Sequence, residues 1–182
     1  ALLELADARY QSELGQRIST LISPAALWSE QEKRSAGEAL MRTEVAQPAL
    51  GVIELAYFQV LQRLGLRCDM VAGHSYGEYA ALAAAGALSA DDLLDLSVSR
   101  GQAMANCKSE SGDSGTMAAV FASREQLIPV LEQVPGLVLA NDNGPGQAVI
   151  SGAVVDVDQA IELLHQQEIR AVRLPVGGAF HS

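Results

Sequence analysis

Met70-Val71-Ala72-Gly73-His74-Ser75-Tyr76-Gly77-Glu78-Tyr79 reads as a short apolar strand, a sharp turn carrying a serine, and the start of a helix. The strand is expected over Asp69 to Gly73 and the helix over Tyr76 to Ala85. This arrangement pushes one hydroxyl out of the backbone at the end of a sheet. Gly73 and Gly77 flank Ser75 at two residues' distance, so no side chain crowds the turn or blocks a substrate. The helix that follows aims its N-terminal N–H groups at the same point, where an oxyanion would form. The pattern is the G-x-S-x-G nucleophile elbow, and it argues for acyl transfer through a serine ester. The bare pentapeptide also fits an ordinary strand-to-helix turn with a solvated serine, and the flanking strand and Ala-rich helix weigh against that.

Upstream, residues 1–45 read as helical and charged, with breaks at Pro24 and Gly37. Residues 48–64 read as a helix with Pro48 in its first turn. Leu50, Ile53, Tyr57, Leu61 and Leu64 recur at helical spacing, and Gly65 ends the segment. Downstream, Ser89 followed by Asp91 and Asp92 is a helix start. That helix places Leu93, Leu96, Arg100 and Met104 on one stripe. Arg100 among apolar neighbours needs an anionic partner or a wet cleft. Alternatively, its stem packs while its head reaches solvent.

The polar stretch 108–115 is the best internal boundary. Beyond it the pattern runs strand (116–121), helix (124–133), strand (137–140), strand (148–151), helix (155–167) and strand (170–176), with Asn141 to Gly146 joining the middle strands. The order β-α-β-β-α-β is a split βαβ unit. A small ferredoxin-like subdomain, residues 115–175, is therefore expected as an insertion in a larger α/β one.

Composition narrows the partners. Net charge is −10, which argues against nucleic acid or an anionic membrane. Apolar residues make up 49% of the chain but aromatics only 4%, so the core must be Ala, Leu and Val, as suits helices packed on a sheet. Cys68 and Cys107 make no disulfide framework, which fits a reducing, cytoplasmic compartment. Cys107 beside Lys108 is read as incidental rather than as a nucleophile. No residue pattern calls for a metal. The chain starts without Met, inside a helical pattern, and reads as cut at both ends.

Ser75 needs a base, and the candidates are His74, His165 and His181. His74 adjoins Ser75, where side chains diverge. His165 sits beside Gln166, Gln167 and Glu168 and is expected at the surface. His181 lies on a loop leaving the last strand and is favoured. Asp142 and Asp156 are open as orienting carboxylates, and backbone carbonyls would serve as well.

The residues resemble the acyltransferase domains of fatty acid and polyketide synthases, the malonyl-CoA:acyl carrier protein transacylase family. The resemblance rests on Gln47-Pro-Ala, Gly73-His-Ser-Tyr-Gly-Glu78, Ser99-Arg-Gly101 with Met104, Asn141-Asp-Asn-Gly-Pro-Gly-Gln147 with Val149-Ile-Ser-Gly152, and Gly178-Ala-Phe-His-Ser182. It implies an α/β fold: a hydrolase-like large subdomain with a parallel sheet (1–114 and 176–182) and a ferredoxin-like small one (115–175). It implies Ser75 as nucleophile, His181 as base and then acid, Arg100 as the partner of the malonyl carboxylate, and the Tyr76 backbone N–H as an oxyanion donor. Gln47, His74, Asn143 and Phe180 would line the pocket. The substrates would be malonyl-CoA and the phosphopantetheine thiol of an acyl carrier protein, on the same or a separate chain, with flanking synthase domains and no bound cofactor. Phe180 before the histidine points to malonyl rather than methylmalonyl, its ring filling the space a methyl branch needs. Tyr76 resembles iterative synthases for polyunsaturated fatty acids or enediynes, and Gly178 departs from the usual His-Ala-Phe-His form. The family's Gly-Gln-Gly segment, source of a second oxyanion donor, precedes the residues matched here. A patatin-like serine hydrolase and a non-catalytic carrier-docking domain are the alternatives.

Overall fold

The computed structural model describes residues 2–106 and 114–182. Cys107 and most of the polar loop expected at 108–115 lie outside the described residues. The chain divides into two compact units, Ala1–Ala105 and Asn106–Ser182.

The first unit is helical: α1 (Leu2–Leu14), α2 (Ile18–Ile22), α3 (Glu30–Met41), α4 (Thr43–Arg63), α5 (Gly77–Ala84) and α6 (Ala90–Asn106). Ala6, Tyr10 and Ile18 pack with Ala49 and Val52 of α4 and Leu94 of α6. The Tyr10 hydroxyl donates to the Leu94 carbonyl at 2.9 Å, so the core aromatic carries no orphaned polar atom. Asp7 closes the α1–α2 corner by accepting from the Ser19 N–H at 2.8 Å and its hydroxyl at 2.7 Å. Ser89 caps α6, accepting from the Asp92 N–H at 3.1 Å while its own hydroxyl donates to the Asp92 carboxylate at 2.6 Å.

Several expectations change here. Gly37 breaks nothing, because α3 runs through it. The helix expected from Pro48 starts at Thr43, leaving Pro48 buried inside it. Its missing N–H forgoes one bond, but Gly101 lets α6 come within contact of Thr43, Glu44 and Gln47, so tertiary packing holds that turn. The buried face of α4 is Val45, Gln47, Pro48, Ala49, Gly51, Val52 and Leu55. The larger Leu50, Tyr57, Leu61 and Leu64 are exposed among the described residues. On α6 the buried face is Leu93, Leu94, Ser97 and Gly101, with Leu96 outside it. Asp69 to Gly73 forms no strand and pairs with none among the described residues, so the parallel sheet expected behind the elbow is not among them. A strand needs a neighbour for its ladder, and the local pattern does not carry that information.

The second unit has the expected element order: β1 (Thr116–Val120), α7 (Arg124–Gln133), β2 (Val138–Gly144), β3 (Gln147–Gly152), α8 (Val154–Gln166) and β4 (Ala171–Arg173). The sheet order is β2-β3-β1-β4, with every neighbouring pair antiparallel. Ala118, Val120, Ala148 and Ile150 alternate along β1 and β3 and pack against Leu127 and Val130 of α7 and Val157, Ala160 and Leu164 of α8. The segment expected as a six-residue loop is mostly strand. β2 continues through Asn141–Gly144 with two register irregularities, and only Pro145-Gly146 turns. β4 stops at Arg173 rather than Val176.

Leu164→Ala should lower the unfolding free energy by about 2–5 kcal/mol, because Leu164 is fully buried between helix and sheet. Val155→Ala, on the solvent side of the same helix, should change it by less than about 0.5 kcal/mol. Urea melts of both variants check this, and similar midpoints would contradict the packing described.

Candidate active site

Ser75 lies just before α5 with φ at +54°, a left-handed conformation that non-glycine residues rarely adopt. Holding it there costs about 1–3 kcal/mol. Three bonds close the turn: Gly77 N–H to His74 O at 3.0 Å, Glu78 N–H to Ser75 O at 3.3 Å, and Tyr79 N–H to Tyr76 O at 3.0 Å. At Gly73 the chain crosses the Gly77–Glu78 peptide so closely that any Cβ would overlap it. A Cβ at Gly77 would meet only open space. The two glycines of the elbow thus differ in role. Gly73 is required by backbone contact, whereas nothing among the described residues packs against Gly77.

Arg100, on α6, reaches this turn. Its Nη2 donates to Ser75 Oγ at 3.2 Å, and its Nη1 donates to Gln47 Oε1 on α4. Gln47 is buried. Tyr76 and Tyr79 lie beside the guanidinium, with ring centroids 5.8 and 5.7 Å from its carbon. Among the described residues no carboxylate forms an ion pair with Arg100. A half-buried cation is therefore held by an amide oxygen, a hydroxyl and two aromatic faces. Each of these orients it, and none cancels its charge, so it stays available to an anion attached at Ser75.

Tyr76 is buried with its hydroxyl against Ser97 Oγ. Ser97 spends its single proton on the Leu93 carbonyl at 2.6 Å, so the phenol is the donor to Ser97. Burial pushes the Tyr76 hydroxyl up to about 12, which keeps it neutral at physiological pH.

Of the residues singled out in the sequence, Gln47, Ser75, Tyr76 and Arg100 are brought together in the first unit. His74 is exposed on the turn. In the second unit, Phe180 is half-buried with its ring above Gly178, where a Cβ would lie 3.1 Å from it. The Ala179 N–H donates to the Ser114 carbonyl at 2.7 Å, and His181 follows with φ at +60° on the exposed end of this turn. Asn143 and Asp142 are exposed on β2. Asp156 sits over Gly136, whose missing side chain makes room for that carboxylate. His165 is exposed, as expected, with Nε2 3.2 Å from the Ala171 carbonyl. The sequence reading missed Tyr79, Ser97 and Gly51. A glycine at position 51, deep in a strong helix, is a packing signal that could have pointed to the last of these.

The elbow serine therefore lies beside an arginine that no carboxylate pairs with among the described residues. Residues 4–182 match the family described as acyl transferase domain, and the chain belongs to that family. It is 43% identical over 157 residues to the malonyl CoA-acyl carrier protein transacylase of Synechocystis sp., covering 85% of this chain and 51% of that protein. The crystal structure of the malonyl CoA-acyl carrier protein transacylase from Burkholderia pseudomallei superposes with a TM-score of 0.79 at 34% identity, covering 100% of this chain and 60% of that one. The acyltransferase domain of the iterative polyketide synthase in enediyne biosynthesis superposes with a TM-score of 0.72 at 38% identity, covering 78% of this chain and 37% of that one. The chain spans about half the length of the curated transacylases it matches. The α/β fold is thus that of the transacylases and synthase acyltransferase domains.

Gly73→Ala should remove the elbow geometry, since its methyl would have to displace the Gly77–Glu78 backbone. The expected loss of stability is at least about 1–3 kcal/mol, read as a lower denaturation midpoint together with loss of Ser75 labelling by a fluorophosphonate. Unchanged labelling would contradict it.

Proposed function

We propose that the protein carrying this sequence transfers a malonyl group from malonyl-CoA to the phosphopantetheine thiol of an acyl carrier protein, through an ester on Ser75. The observation that carries this is the Arg100 guanidinium 3.2 Å from Ser75 Oγ with no carboxylate paired to it among the described residues. An acyl group on Ser75 that ends in a carboxylate would place that charge against Arg100. Charge-assisted bonds of this kind are the strong ones, and the planar fork of arginine matches a carboxylate. The two transacylases and the synthase domain described above support the same reading.

In the proposed first half-reaction, the Ser75 hydroxyl attacks the thioester carbonyl and gives its proton to His181. The carbonyl oxygen, now negative, accepts from the Tyr76 backbone N–H at the start of α5. Collapse breaks the C–S bond, and the CoA thiolate takes the proton back. In the second half, the carrier thiol attacks the ester, and Ser75 recovers its proton by the same route. His181 holds its role in this scheme by its place in the Ala-Phe-His motif. By the same motif resemblance, Phe180 is assigned the restriction beside the α-carbon, and His74 and Asn143 are assigned to the pocket lining. The fold reading is that of a hydrolase-like large subdomain, 1–114 and 176–182, with a ferredoxin-like insertion at 115–175. The antiparallel β2-β3-β1-β4 order supports the insertion. Flanking synthase domains and a cytoplasmic location complete the proposal.

Incubating the full-length protein with malonyl-, methylmalonyl- and acetyl-CoA and measuring intact mass tests the reading. Ser75→Ala should abolish the malonyl adduct, and an adduct that persists removes the nucleophile assignment. Arg100→Ala should cut malonyl loading by about ten- to a hundredfold, the worth of a charge-assisted bond, and acetyl loading much less. Equal losses would make Arg100 merely structural. Phe180→Ser should raise the methylmalonyl-to-malonyl ratio, and an unchanged ratio would dispose of the steric argument.

A further inference from the structure

Arg100 is a flexible side chain at the end of a long stem, and a guanidinium misplaced by an ångström loses most of the benefit of a bound carboxylate. Something must hold it. Gln47 fixes one nitrogen. The other fixed surface is aromatic. The Tyr76 and Tyr79 rings stack with centroids 5.9 Å apart and an interplanar angle of 26°, and the guanidinium carbon is nearly equidistant from both.

Tyr76 is itself anchored from behind. Its hydroxyl donates to Ser97 Oγ, which passes its own proton to the Leu93 carbonyl on α6. The phenol reaches that partner only because residue 51 of α4 is glycine. A Cβ there would overlap the Tyr76 hydroxyl and lie 2.7 Å from Ser97 Oγ. Glycine inside a long helix costs about 1 kcal/mol relative to alanine, so the cavity it leaves has a structural return: room for this one hydroxyl.

We propose that Tyr76 and Tyr79 are positioning residues for acyl selectivity. Tethered through Ser97 and admitted by Gly51, Tyr76 forms with Tyr79 an aromatic wall that aims the Arg100 guanidinium at the acyl group carried by Ser75. Aromatic faces suit this task because they attract a cation without supplying a competing anion. A glutamate in the same place would hold Arg100 more strongly and would displace the substrate carboxylate. The inference rests on the reading of Arg100 given above, and it adds that selectivity is set from behind the arginine as well as by the arginine.

The test measures Ser75 loading rates with malonyl-CoA and acetyl-CoA in the full-length protein. Tyr79→Leu, at a half-buried position, should lower malonyl loading by about threefold to tenfold, the worth of one cation–aromatic contact, with acetyl loading falling less. Gly51→Ala should shift the malonyl-to-acetyl ratio in the same direction by displacing the phenol. Adding Tyr76→Phe and Ser97→Ala to Gly51→Ala removes both oxygens that the new methyl meets, so the triple variant should recover part of the ratio. A merely structural role predicts equal losses for both acyl groups and no such recovery, and either result overturns the proposal. Arg100→Ala run alongside separates the two levels. If it shifts the ratio while Tyr79→Leu and Gly51→Ala do not, only the aromatic wall falls. If Arg100→Ala leaves the ratio unchanged, the carboxylate reading falls and takes this inference with it.

Discussion

The hydrogen bond from Arg100 to Gln47 ties three parts of the first unit together. It joins α6 to α4, and through the second arm of the same guanidinium it joins both helices to the Ser75 turn. The close approach at Gly101 sets the separation of the two helices at that point. With the separation set, Gln47 faces Arg100 directly, and Arg100 faces Ser75. A substitution that moved α6 by one side chain's width would uncouple the cation from the Ser75 hydroxyl while leaving both residues in the chain.

The electrostatics follow from what the partners are. Among the described residues four arginines pair with carboxylates: Arg9 with Asp91 and Asp95, Arg17 with Asp7, Arg42 with Glu44, and Arg173 with Asp158. Arg100 differs from these four in having neutral partners among the described residues, although the chain as a whole is strongly acidic. A salt-bridged arginine has little attraction left for a ligand. An arginine oriented by an amide, a hydroxyl and two rings keeps its charge for one, and this is the physical basis for the proposal that the site takes acyl groups ending in an anion.

Much of the candidate site was legible in order along the chain. The elbow motif named Ser75. The odd position of Arg100 on an otherwise apolar stripe asked for an anion. The βαββαβ order of the second unit followed from alternation and helical spacing. The misses share a cause. Leu50, Tyr57, Leu61 and Leu64 formed the most obvious stripe on α4, yet the face that packs is the small-residue one, because close helix contact favours Ala and Gly over bulk. Asn141 to Gly144 looked like a loop by residue type, but pairing with β3 drew it into the sheet. Pro48 suggested a helix start, and packing against Gly101 carried the helix five residues further back.

Local sequence was enough to place a serine on a strained turn, to order the elements of the second unit and to set the expectation, from net charge, that an anionic polymer is not a partner. These depend on backbone sterics, side-chain periodicity and net charge, all of which are written in neighbouring residues. The partnership of Ser75 with Arg100 and Gln47, and the phenol of Tyr76 lodged between Gly51 and Ser97, join residues 21 to 53 positions apart. Contacts of that span exist only once the helices have packed. Shape at the helix interfaces, where one missing methyl makes room for one hydroxyl, decides which side chains meet, and no local pattern encodes it.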